Sequence, residues 1–276
     1  MSEDENLIFM ISIFLSVWAL LRLRVGSLHS LFFRNNPGIG LVRLSVICSF
    51  LWIIIVLSFF SDESIKGIYF IFYLVMGYAL FRNLGQFGLQ FFGLRLRVDV
   101  YERKNLAAAI LFAAFTFSTA LIFGGSLWGE ADPDGSDEGG WWIPLTFFGL
   151  GWLTLIIAFL LFLVREKTPL SQSIRQDRRI VTAEAAAAYL ISSAIVIAEA
   201  TAGDFYGWWH GLMSFASLAG LLIVHEVFNT ATSFGGEKSR PEAATSRSFE
   251  IAMYFVVAIA SWLLNRWIDL YFARFL

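Results

Sequence analysis

The chain has 276 residues, 58% of them hydrophobic and only 15% charged, with a mean hydropathy of +0.68. A soluble domain carries about 25% charged residues, so the composition belongs to the membrane class. A net charge of −2 excludes the basic face that a nucleic-acid binder presents. The single cysteine, Cys48, lies in an apolar run and excludes both a disulfide framework and a thiolate metal site.

Apolar runs of about 20 residues mark transmembrane helices. Eight occur in chain order: Leu7–Leu21, Ile39–Phe60, Gly67–Phe87, Asn105–Ser126, Trp142–Val164, Val181–Ala200, Trp208–Phe228 and Ile251–Trp267. The first is not a cleaved signal peptide, because "MSEDEN" supplies an acidic flank where a basic one is required. The last runs into "NRWIDLYFARFL", which sets Arg266 and Asp269 among aromatics and suits an interfacial helix. The predicted fold is all-α, a polytopic membrane protein.

Charge alternates between the connections. Segments 22–36, 94–104, 165–179 and 229–250 hold 15 of the 20 basic residues, and Arg43 and Arg82 lie just inside spans on that same side. The other connections, "SEDEN", "SDESIK", "GEADPDGSDEGG" and "AGD", contain one lysine and no arginine. The positive-inside rule then puts the basic loops in the cytoplasm of a multi-pass inner-membrane protein and both termini outside.

The triplet Gly-Trp-Trp occurs twice, at 140–142 and 207–209, although composition predicts only about 0.03 such triplets. A shift of 75 residues lays "NLAAAILFAAFTFSTALIFGG" on "IVTAEAAAAYLISSAIVIAEA", and a shift of 67 aligns the triplets. The chain then divides into three N-terminal spans (1–97), a first helical hairpin (98–168), a second in the same orientation (169–230), and a polar linker with the last span (231–276). Such copies are parallel repeats about the membrane normal. Trp141, Trp142, Trp208 and Trp209 open the descending helices as interface anchors, where amphipathic rings sit among headgroups. Ala108, Ala113 and Ser118 in one copy, and Ala183, Ala188 and Ser193 in the other, permit the close backbone approach that joins helices in lipid. The hairpins should form a four-helix core with the outer spans as a jacket.

"YERKNLAAAILFAAFTFSTALIFGGSLWG" has a charged lead-in, Asn105, an alanine run and a terminal glycine pair. It resembles the bacterial membrane family catalogued as domain of unknown function 350, over about Val98 to Asn229. The resemblance implies repeated two-helix hairpins and brings no assigned activity. The second copy departs from the pattern, with Ile180 where Asn would stand and Glu184 interrupting the alanines.

Ionisable residues inside spans are costly and mark functional candidates. They cluster in the second hairpin: hairpin geometry sets Glu184 level with His225 and Glu226, near Arg43 and Arg82 by depth. A histidine with two carboxylates could relay protons or bind a cation, with a metal left open. Glu199, Asp204 and His210 form an outer-side group. No nucleophile elbow, zinc pair or phosphate loop is present, so no cofactor is expected. Three functions remain: a channel or transporter for a small ion or polar solute, a membrane scaffold or partner subunit, and a lipid-acting enzyme. The expected partners are the lipid bilayer, a second copy of the chain or another membrane protein, and no nucleic acid.

Overall fold

A computed structural model describes residues 2–22, 36–130, 140–165, 171–203, 208–234, 251–260 and 263. Among them the chain is helical, with no β-strand. In hydrocarbon each backbone N–H and C=O must be satisfied within the segment, which leaves an apolar run little choice but a helix. The helices are α1 (Glu3–Arg22), α2 (Pro37–Phe59), α3 (Ile68–Phe87), α4 (Leu106–Gly125), α5 (Trp142–Arg165), α6 (Ile180–Thr201), α7 (Trp208–Phe234) and α8 (Ile251–Ala260). The first six are long and apolar enough to cross a membrane. Helix α7 continues past the predicted Phe228, but its apolar stretch is only Gly211–Val227. The tail 264–276 lies outside the described residues, as do most of the acidic loop and the linker 235–250.

The helices alternate in direction, which sorts their connections to two ends. At the acidic end three turns are tied together. The Gly129 amide donates to the Phe60 carbonyl at 3.0 Å, and the Gly203 amide to the Trp128 carbonyl at 2.9 Å. Phe60 and Trp128 stack at 3.9 Å. Gly203 has φ of 118°, which a side chain would strain. The Tyr69 hydroxyl reaches Glu5 at 3.0 Å, bringing the start of α1 to the same end.

Helix α4 is the centre. It is buried along nearly its whole length and packs most extensively on α6 and α2, then on α3. This corrects the expected four-helix core with a jacket: α2 and α3 are as much a part of the core as α5 and α7. The sequence argument missed it because an apolar span looks the same whether its neighbour is lipid or protein. Ala108, Ala113, Ser118, Ala183, Ala188 and Ser193 are all buried. At Gly125 the helix backbones come close: an added Cβ would lie 2.4 Å from the Ala198 carbonyl oxygen. Large side chains such as Phe14, Leu153 and Val224 point outward, as lipid-facing residues do.

At the basic end the lead-ins to α4 and α6 are not plain loops. Each contains a π-helical turn, Leu96–Glu102 and Ser171–Gln176. The Arg103 amide donates to Val98 at 2.9 Å and the Asn105 amide to Asp99 at 3.0 Å; Asp177 donates to Gln172 and Arg179 to Ser173 at 3.1 and 3.0 Å. Lys104 and Arg178 precede the helices at φ of 51° and 53°, a region that costs a non-glycine residue about 1 kcal/mol. Every partner in the second set lies 74 positions after its counterpart in the first. This spacing differs by one residue from the 75-residue shift that lays the alanine runs on each other. On the 74 spacing Glu184 falls in step with Ile110 rather than Ala109, and both are among the less buried positions of their turns.

Candidate functional site

The basic end holds a buried polar layer. Asn105 caps α4: its Oδ1 accepts from the Ala108 amide at 3.2 Å, and its Nδ2 donates to the Ile174 carbonyl at 2.6 Å. Asn36, just before α2, donates from Nδ2 to the Val100 carbonyl at 2.9 Å. Asp99 is the hub. Its side chain is fully buried, and Oδ2 accepts from the Arg95 amide at 2.8 Å. Its Oδ1 receives Arg175 Nε at 2.9 Å and lies 3.7 Å from Arg103. The two π-helical turns are thus joined by one carboxylate and one amide side chain.

Beside this layer, Arg82 is 2% exposed within α3. Its polar neighbours are the phenols of Tyr78, one turn earlier on α3, and Tyr101, in the first π-helical turn. It makes no ion pair with a carboxylate among the described residues, and its Nε has no hydrogen-bond partner. One turn further along α3, the buried Nε2 of Gln86 also lacks a partner. Tyr78, Arg82 and Gln86 therefore form a stripe at i, i+4 and i+8, the spacing of one helix face. Burial pushes the Tyr101 phenol above its ordinary pKa, while Arg82 and Arg43 pull it the other way. Tyr101 consequently keeps its proton at neutral pH and remains a donor. Arg43, half-buried on α2, adds a second positive charge to the same neighbourhood.

No hydrogen bond or ion pair joins Glu184 to His225 or Glu226. Glu184 is exposed on α6 and makes no hydrogen bond or ion pair with a described residue. His225 and Glu226, adjacent on α7, approach to 3.5 Å between Nδ1 and Oε1, with the histidine side chain 60% exposed and the glutamate 2%. Depth along a hairpin does not fix which way a side chain faces, and Glu184 is the exposed position between buried Ala183 and Ala185. No group of three or more His, Cys, Asp or Glu side chains suited to a metal occurs among the described residues.

At the acidic end, Glu199 is buried on α6 beside a cavity of about 70 Å³. Trp52 from α2 and Trp128, just beyond α4, share its lining. Asp204 and the side chain of His210 lie outside the described residues. The two Gly-Trp-Trp triplets meet: Trp142 and Trp208 stack at 4.8 Å, and Phe147 lies parallel to Trp208 at 5.8 Å. Trp209 stays 79% exposed and Trp141 half-buried. Trp142 and Trp208 thus join α5 to α7 as well as standing near the helix ends.

Asp99, Gln86, Tyr78, Tyr101, Trp52 and Trp128 were not among the sequence candidates. Only the Tyr78–Arg82–Gln86 spacing was visible without coordinates. No curated protein and no solved structure matches the chain. The model of a family described as Domain of Unknown Function (DUF350) matches residues 65–201. That span takes in α3 and ends with α6, so it begins earlier and stops sooner than the 98–229 stretch that carries the sequence resemblance. With six helices long and apolar enough to cross a bilayer and this match over α3 to α6, the chain is a multi-pass membrane protein and belongs to the domain of unknown function 350 family.

Proposed function

We propose that the protein is a channel or transporter for a small anion, with Arg82 as its binding group. The carrying observation is a guanidinium buried in a membrane helix without a carboxylate partner among the described residues. Desolvating an ion costs several kcal/mol unless a countercharge and hydrogen bonds offset it. An anion supplies both: it accepts from Arg82 Nε and Gln86 Nε2 and takes the Tyr101 hydroxyl. In proteoliposomes carrying a halide-sensitive dye, we expect wild-type protein to dissipate a chloride or nitrate gradient. Arg82→Gln should slow this at least tenfold and Arg82→Lys less. Unchanged flux in folded Arg82→Gln would overturn the reading. Exposed Glu184 favours a second reading, a subunit of a larger membrane assembly, since a carboxylate on an apolar face gains from a partner. Absence of anion flux, together with co-purification of a stoichiometric membrane protein, would select it.

The same reading puts the basic end in the cytoplasm, with the termini outside, and treats α4–α5 and α6–α7 as two copies of one hairpin. It is supported by the charge alternation and by the paired π-helical turns. With Cys48 replaced by serine, Glu63→Cys should react with an impermeant maleimide in intact cells and Gln176→Cys should not. The reverse pattern would invert the topology.

A further inference from the structure

We infer that the basic end of the molecule is a docking surface for anionic phospholipid headgroups, with Lys104 and Arg178 as its principal contacts. Segments 94–104 and 171–179 hold seven basic residues against three acidic ones. All three acids are engaged. Asp99 is buried and shared by Arg175 and Arg103. Glu102 pairs with Arg97 at 3.3 Å and Asp177 with Arg179 at 3.7 Å. Arg95, Lys104 and Arg178 are exposed and form no ion pair with a described residue. The two segments make one surface, because Asn105 reaches the Ile174 carbonyl at 2.6 Å and Arg175 reaches Asp99 at 2.9 Å.

Lys104 and Arg178 occupy the same place in the two lead-ins, at φ of 51° and 53°. Glycine adopts that conformation without strain, so each turn keeps a cation where local stability favours having no side chain at all. Backbone strain of this kind clusters at ligand-contacting positions. Height names the ligand. Lys104 stands two residues before α4 and Arg178 two before α6, and both helices are long and apolar enough to cross a membrane. The two cations therefore lie at headgroup level, where each lysine or arginine strengthens attraction to an anionic leaflet about fivefold. An acidic protein would have to bind within that same layer, in competition with the lipid. The surface does not depend on what binds at Arg82.

Native mass spectrometry of the full chain, released from micelles holding equal phosphatidylglycerol and phosphatidylcholine, tests the assignment. We expect the first bound lipids to be phosphatidylglycerol, by about fivefold or more over phosphatidylcholine. Lys104→Gly with Arg178→Gly should bring the two lipids to parity and melt no lower than the wild type, because the change removes charge and strain together. Lys104→Gln with Arg178→Gln should lose the preference as well, and it keeps the test decisive if the glycine variant fails to fold. Lys66→Gln, at the acidic end, should leave the preference intact. The assignment is overturned if the wild type binds both lipids equally, or if both double variants keep its preference. It is equally overturned if Lys66→Gln abolishes the preference, or if millimolar inorganic phosphate does, which would mark a site for a free anion.

Discussion

Replacing Gly125 with alanine should destabilise the protein by about 3 kcal/mol, the upper end of the usual overpacking cost. The added Cβ would sit 2.4 Å from the Ala198 carbonyl oxygen, 2.7 Å from its Cα and 2.8 Å from Thr201 Oγ1. Two of those three atoms belong to the backbone of α6, so no side chain can rotate away. The helices must part, and the separation is felt along the most extensive helix contact in the molecule. Gly149 is the control, because an added Cβ there meets nothing within 4 Å. Gly149→Ala should be neutral or stabilise by up to about 1 kcal/mol, since glycine is a poor helix former. Thermal unfolding in detergent reads both. Equal melting temperatures for the two variants would mean that α4 and α6 do not approach so closely.

Asp99→Ala should cost about 3 kcal/mol, the lower end of the range for breaking a buried ion pair. The change strands the Arg95 amide and removes the counterion of Arg175 and Arg103. Those side chains are 33% and 45% exposed, so water recovers part of the loss. That places the estimate at the low end and not the middle. Asp99→Asn retains one acceptor and should cost less. A double-mutant cycle with Arg175→Ala separates the pair from the rest, because coupled partners show interaction energies of about 0.5–3 kcal/mol. Strict additivity would reduce Asp99 to a local cap of its own turn. Strong coupling would identify it as the link between the two lead-ins.

The family match and the fold bear on these residues unequally. The match begins at Ile65 and closes at Thr201, so it includes Arg82, Asp99 and Glu199 and omits His225 and Glu226. The ionisable group weighted most heavily in the sequence therefore straddles the edge of the matched region. The polar layer that the structure assembles lies within it, apart from Asn36 and Arg43 on the side of α2.

The sequence by itself determined the membrane class, the approximate limits of the helices and the sorting of charge to two ends. Each follows from local chemistry. An apolar run of sufficient length must satisfy its own backbone, and Asn105 caps the helix that it precedes by reaching the Ala108 amide three residues on. The tertiary structure alone decided which polar residues meet. Asp99 is one of two acids in a basic segment until α4 and α6 pack, and its partner Arg175 lies 76 residues away. The pairing of Trp52 and Trp128 beside Glu199 needs three helices at once. Glu184 shows the limit most plainly. Ala185, Ala186 and Ala187 beside it do not say which face of the helix is buried, and only the packing of α6 against α4 leaves the Glu184 position exposed.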